Sequence, residues 1–406
     1  MRTNRGPFLL LLALACVCAW SARARGDWVI EEMDPAAGAW VIQAVDTDAN
    51  VGLLTSMALD PVNGFPGISY YDQTHYSLKY ASWDGYSWNT QVVDTGCVGT
   101  HSSLAFDRYR YSMPCISYTS YSPSLHVVNG VKYAYWTGEG WHTEFVQSGS
   151  NLGEYTSLAV GYMGQPHISY YDRGNGALKY ATVSESGWNI QTVDAGDVGL
   201  YSSLRLDYNG NPRIAYHDET NGTLKYAAYD GGAWHCTVVD FSAHVGAHPS
   251  LALTATGDPI ISYFDSTNTD LKLAMFLEGT WYTGVVDPTP ITGFGNSLAM
   301  IPELDFPCIV YASGDPATDT DLRLAFWDGA AWHYVTVDSL GTVGEFPSLV
   351  IHPYTGEPMI SYYDRTNGNL KFATWEPSNM PEPATLSLLA LGALVAWARR
   401  PRARHP

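Results

Sequence analysis

Positive charge is what this sequence has least of: 21 Lys and Arg stand against 40 Asp and Glu in 406 residues, a formal net charge of −19. A surface of that sign repels nucleic acid and anionic membrane. Cysteine is also sparse. Two of the six, Cys16 and Cys18, lie in an N-terminal apolar run, leaving Cys97, Cys115, Cys236 and Cys308. Cys115 and Cys308 fill the same place in non-neighbouring repeats, too far apart to bridge, and read as small buried hydrophobes. No Cys-x-x-Cys or Cys/His spacing fits zinc, and no metal or cofactor is expected. Between the two ends no segment sustains a helical period, which excludes a helical body.

What is abundant points one way. Twenty-eight Tyr, 14 Trp and 38 Gly, with Val, Ile and Thr in short runs, predict strands and turns and an all-β fold. The chain repeats itself every 46 to 54 residues, a period typical of propeller blades. The clearest copy places short strands at 56–60, 66–72, 78–85 and 88–94. Its first-strand Ser recurs at Ser56, Ser103, Ser157, Ser203, Ser250, Ser297 and Ser348. Its third-strand basic residue recurs at Lys79, Lys132, Lys179, Lys225, Lys272, Arg323 and Lys371. The fourth-strand Trp appears at Trp88, Trp141, Trp188, Trp234, Trp281 and Trp332, but the last copy stops at Trp375, and a spare fourth strand lies at 40–46. If that N-terminal strand completes the last blade, no sheet edge stays open. The expectation is a seven-bladed β-propeller of four-stranded blades over 39–375.

The two ends read as addresses. Arg2 and Arg5, an apolar run over 8–19 and Ala22-Arg23-Ala24 form a signal peptide, with cleavage expected after Ala24. At the other end Pro381, Glu382 and Pro383 precede a short apolar stretch over 386–398 and then Arg399, Arg400, Arg402 and Arg404. This tail resembles the PEP-CTERM sorting signal of exosortase substrates in Gram-negative bacteria that make extracellular polysaccharide. The resemblance implies export, a transient inner-membrane tether through the C-terminal helix, an exosortase-type partner that cleaves near 381–383, and delivery to the cell surface or matrix. Removing both ends leaves 14 basic and 39 acidic residues.

The repeat also resembles Asp-box propellers, since Asp84-Gly85 before Trp88 and Asp328-Gly329 before Trp332 mark the hairpin between third and fourth strands. The spacing from Ser82 to Trp88 is one residue shorter than the usual Asp-box. That family includes sialidase-like glycan hydrolases, which would need an arginine cluster or a carboxylate pair. Arg173 and Arg365 fill one repeat position and lack such a context. Asp72, Asp172, Asp218, Asp265 and Asp364 end the second strands and read as turn caps. Asp315, Asp319 and Asp321, like Asp46 and Asp48, read as solvated acidic loops, without calcium-loop spacing.

The approach to the first strand is the most suggestive feature. The pattern Val-Gly-x-x-x-Ser-Leu puts a varying residue two after the Gly, reading Leu54, His101, Tyr155, Tyr201, His248, Gly295 and Phe346 around the ring. His101, Tyr155, Tyr201, His248 and Phe346 are the candidate ligand-binding residues, surrounding the channel mouth to stack on sugars or on a protein partner; the alternative is that they plug the channel. No catalytic residue is assigned. The function expected is non-enzymatic binding of a glycan or surface protein, with a glycan hydrolase or a purely structural matrix protein as alternatives.

Overall fold

The computed structural model describes residues 38–122, 127–302, 304–315 and 317–377. The signal peptide and the sorting signal at Pro381, Glu382 and Pro383 lie outside the described residues. Among them there are 28 strands and no helix, and so none long and apolar enough to cross a membrane. The strands form a propeller of small antiparallel sheets, each ordered from an inner strand to an outer one.

The first sheet shows the plan: Val51–Leu59, Pro66–Asp72, Ser77–Trp83 and Trp88–Asp94, each paired with the next. The inner strand is longer than the sequence pattern implied, because it runs back through the Val-Gly segment to Val51. The N-terminal strand Gly38–Asp46 pairs antiparallel with Asn369–Pro377 and is the outer strand of the last sheet.

Separate four-stranded blades number five, not seven. The other eight strands pair into one sheet. The cause is local: Val127–Trp136 begins early enough to meet the following inner strand, through a parallel bridge between Leu152 and Asn129 and an Asn151 N–H donated to the Val128 carbonyl at 2.7 Å. That sheet carries two successive copies of the four-strand unit back to back.

Ring closure is visible in the inner strands. The hydroxyl oxygen of Ser56 accepts the Leu104 N–H, Ser103 that of Leu158, Ser157 that of Leu204, Ser203 that of Leu251, Ser250 that of Leu298, Ser297 that of Leu349, and Ser348 that of Met57. Seven bonds make one circle, which explains why Ser recurs where it does. The glycine just inside each inner strand serves the same closeness. At Gly199 the backbone has φ +111°, and an added Cβ would sit 2.8 Å from Leu178 Cα of the preceding unit, so only glycine fits.

The core lies between units. Leu78, Tyr80 and Val93 of one pack on Val98, Leu104, Ile116 and Tyr118 of the next. The recurring Trp is the knob of this layer: Trp141, Trp188, Trp234 and Trp281 set their indoles edge to face on Tyr80, Tyr133, Tyr180 and Tyr226 of the preceding unit.

The recurring Lys or Arg closes a buried triad. Asp240, at an outer-strand end, accepts from Tyr263 at 2.7 Å and Lys272 at 2.5 Å of the next unit. Burial opposes ionisation of Asp240, but the bonds from Lys272, Tyr263 and the Ser242 N–H outweigh it and hold the carboxyl below its ordinary range. Asp94, Asp194, Asp287 and Asp338 accept the corresponding bonds from Tyr118 and Lys132, Tyr216 and Lys225, Tyr311 and Arg323, and Tyr362 and Lys371. So does Asp46, with Tyr70 and Lys79; it is buried and ion-paired, not part of a solvated acidic loop. In the one exception Tyr170 donates to Gln147, and Lys179 turns to Thr192. The described cysteines are unbridged.

Truncating one partner of such a buried triad costs about 3–5 kcal/mol. Asp240→Ala is expected to lower unfolding stability by that order in a urea titration. Asp240→Gln combined with Val285→Thr reproduces the Gln147 and Thr192 arrangement and should recover most of the loss; no recovery would show that the triad is not what Asp240 contributes.

Candidate functional site at the channel mouth

Each inner strand enters the ring through an irregular step. Pairing with the second strand slips between the residue after the conserved Gly and the conserved Ser, as between Leu53 and Ser56 or Leu200 and Ser203. The residue inside the slip takes the left-handed conformation: φ is 54° at Leu54, 50° at His101, 54° at Tyr155, 54° at Tyr201, 51° at His248, 58° at Gly295 and 50° at Phe346. Outside glycine this backbone costs about 1–2 kcal/mol per residue. Six non-glycine residues hold it at one place, and such strain clusters at functional sites.

The residues following the step supply the restraint. Thr55, Thr156 and Ser202 donate their hydroxyls to the carbonyls of Phe346, His101 and Tyr155, and the Asn296 amide donates to that of His248, at 2.7–3.0 Å. Four of the seven mouth residues are gripped in this way by the next unit; Pro249 and Pro347 stand at the equivalent place in two others. The left-handed turn swings the seven side-chain positions toward the axis, where they line a mouth cavity of about 200 Å³. All five candidate residues are brought together there.

Four rings form a continuous arc. Centroid separations are 4.4 Å for His101–Tyr155, 4.4 Å for Tyr155–Tyr201 and 4.1 Å for Tyr201–His248. His248 continues to Phe294 at 5.1 Å. The rings pack on one another and are half-buried, so one side of the arc still faces the mouth. At Gly295 the wall opens, with Pro347 Cδ 3.6 Å from where a Cβ would stand. Drug-sized ligands occupy 300–1,000 Å³, so this mouth holds a single ring or chain end.

The arc is uncharged. Burial, with His248 and Arg173 nearby, pushes the His101 imidazole down to about 4. Burial and His217 do the same to His248, also about 4. His101 Nδ1 is buried without a hydrogen-bond partner. Around the rim Arg173 pairs with Glu154 at 2.7 Å and Arg365 with Glu345 at 2.7 Å. That clamp, from the second-to-third loop onto the inner strand, explains why the two arginines share a repeat position. Two further histidines meet acids: His217, behind the arc, meets Glu219 at 3.3 Å, and His333 meets Asp328 at 2.6 Å.

The second-strand aspartates are turn caps. Asp72 Oδ1 accepts the N–H groups of Thr74 and His75, and Asp265 Oδ1 those of Thr267 and Asn268. The Asp-box residues do likewise, Asp84 for Tyr86 and Ser87, Asp328 for Ala330 and Ala331. Asp315 caps the Ala317 N–H. Among the described residues no cluster of three or more His, Cys, Asp or Glu is arranged to hold a metal.

Below the mouth the channel widens into a second chamber of about 530 Å³, whose wall includes Arg205, Arg108 and Asp60. Sequence reading assigned these arginines no role. The signal was available by aligning inner strands: Ala58, Ala105, Ala159, Ala252, Ala299 and Val350 occupy the place that Arg205 takes in its unit.

No protein family matched the chain, and neither did any characterised protein sequence. Solved structures do match. An ulvan lyase bound to GlcA(1-4)Rha3S is 12% identical over 82% of this chain and 95% of its own, with a TM-score of 0.56. A protein of unknown function from Dyadobacter fermentans is 13% identical over 84% and 98%, at 0.53. The Aleuria aurantia lectin, with Fucalpha1-6GlcNAc bound, is 13% identical over 71% and 97%, at 0.48. At these identities the likeness is one of fold.

Free histidine titrates near 6.5. A neutral arc predicts that the imidazole carbon resonances of His101 and His248 stay flat in NMR from pH 8 to about 5 and move only near about 4. Because their folded values are depressed, the unfolded chain takes up protons first as pH drops below about 6.5, and both histidines cost stability between there and about 4. Titration near 6.5 in the folded protein would show that the arc is open to water.

Proposed function

We propose that this chain is an exported, surface-displayed carbohydrate-binding propeller that works without a catalytic step. In this reading seven repeat units share the ring, and the sorting tail delivers the body to a polysaccharide matrix. The ligand is a terminal sugar seated against His101, Tyr155, Tyr201 and His248, with Phe346 across the mouth.

One observation carries the reading: four stacked rings held on strained backbone around one ring-sized cavity. Aromatic faces take up the apolar face of a pyranose, and the neutral His101 and His248 rings add no charge that would need to be paired. Strain paired with such a surface supports binding over plain packing, since a plug needs no left-handed backbone.

Glycan cleavage is the second reading, favoured by one contact. His101 is a neutral base ring to ring with Tyr155 at 4.4 Å, and Arg173 lies near enough to depress it further. A hydrolase would instead need a carboxylate pair, and the rim acids Glu154 and Glu345 are each held by an arginine.

A glycan array probed with the whole chain and with a His101→Ala, Tyr155→Ala, Tyr201→Ala variant tests both. Saturable binding by the parent, weakened at least about tenfold in the variant while circular dichroism is unchanged, is the expected result; stacking losses of roughly 1 kcal/mol per ring account for that size. Equal binding by both would move the site off the mouth, and new reducing ends released from a bound glycan would replace binding with cleavage.

A further inference from the structure

The face opposite the mouth carries the features that the repeat does not. Eleven of the 13 described Lys and Arg residues have a carboxylate within ion-pair distance. The remaining two are Arg108 and Arg205, and both line the lower chamber. Arg205 donates one bond, from Nη1 to the carbonyl of Leu204 at 2.8 Å. Its neighbour across the strand pair, Arg213, takes the nearby acids instead, Asp207 and Asp230, each at 2.7 Å. Crowding by the channel wall works against the Arg205 charge, and no carboxylate offsets it. In a chain with 40 acidic residues, a guanidinium left without one is a position held open for an anion.

Tyr354 lines the same chamber, and other hairpins that leave the inner strands on this face carry further tyrosines. The first-to-second hairpins of three successive units carry Tyr109, Tyr111, Tyr162 and Tyr208 at their tips, and Tyr354 stands on the hairpin of the last unit. All five are between 61% and 92% exposed. Tyr208 donates its hydroxyl to the Ala255 carbonyl on the next unit's hairpin at 3.1 Å, while its ring and the others stay exposed. The arginines come from the first and third of those three successive units, so charge and rings fall on one side of the ring.

We infer that the lower chamber is a second, anion-selective glycan site, in which Arg205 and Arg108 take the carboxylate of a uronic acid at a chain end and the tyrosine rim stacks on the sugars that follow. It rests on the reading of the protein as glycan-binding but not on the mouth. The chemistry is complementary: a guanidinium fork matches a carboxylate in two parallel bonds, and tyrosine faces are tolerant of sugar type. Asp60, the acid on the chamber wall, spends Oδ1 on the Val62 N–H.

The test uses the whole chain at low ionic strength and two tetrasaccharides of one backbone: cellotetraose, and the C6-oxidised form in which every glucose is a glucuronate. Calorimetry should give the oxidised form roughly tenfold tighter binding, the order of one charge-assisted pair. Arg205→Ala installs the residue that five other inner strands carry at this place, so the fold is expected to stand. It should abolish the preference, which the mouth variant should keep. A preference that survives Arg205→Ala, or that disappears in the mouth variant alone, overturns the chamber while leaving glycan binding intact. If neither tetrasaccharide binds but inorganic sulfate does in an Arg205-dependent way, the saccharide assignment falls and with it the glycan reading. Absence of binding by all three probes overturns the site.

Discussion

The hydroxyl of one serine in each inner strand accepts the amide N–H of the next inner strand, and seven such bonds close on themselves. This circle sets how near the strands approach at the axis. Both cavities of the ring are lined by residues that flank those serines. The mouth residues stand two positions upstream and Arg205 two positions downstream, so the same circle separates an upper cavity of about 200 Å³ from a lower one of about 530 Å³. A hydrogen bond of this kind is worth only about 1 kcal/mol, yet an amide left buried and unpaired costs about 1–3 kcal/mol. Its force is in forbidding other spacings more than in net stability.

The outer part of the ring is held differently. There the units meet through buried Tyr–Asp–Lys triads and through indoles on aromatic faces, both of which join one unit's outer strand to its neighbour's middle strands. Buried ion pairs are weak contributors to stability but strict about geometry. Six triads with one orientation can be satisfied only in one register between units. The exception at Gln147 and Lys179 falls inside the eight-stranded sheet, where a parallel bridge between Leu152 and Asn129 supplies a backbone link between units. The place where backbone pairing joins two units is the one whose triad has Gln in place of Asp.

Much of this was legible in the sequence because repetition multiplies weak signals. A lone Ser, Lys or Trp says nothing, but the same residue seven times at one place in a four-strand pattern marks a contact made seven times. The strand count per unit, the closing N-terminal strand and the gathering of His101, Tyr155, Tyr201, His248 and Phe346 all followed from that. Pattern could not supply the pairing of individual strand edges, so the fusion of two units into one sheet came only with the structure. It also misjudged Asp46, since an acid beside Asp48 reads as solvated until the strand end is known to face a lysine of the next unit. The Lys and Tyr partners of each triad lie 22 to 38 residues from their aspartate, beyond any local rule.

Repetition also hides what departs from it. A propeller whose seven units were equal would offer seven equal, weak contacts, and any specificity has to come from positions where one unit differs. The mouth breaks symmetry by omission: the arc of rings from His101 to His248 stops where Gly295 carries no side chain. The lower chamber breaks it by addition, placing Arg205 where every other inner strand has Ala or Val. The Arg205 side chain is exposed to the channel and the nearby carboxylates already belong to Arg213, so its charge is open to an anion from outside. A residue at a place where six other units show what the fold accepts is where a ligand is to be sought. In a repeat protein the internal copies thus serve as the control for each other: what all seven share is architecture, and what one alone carries is where function is to be sought.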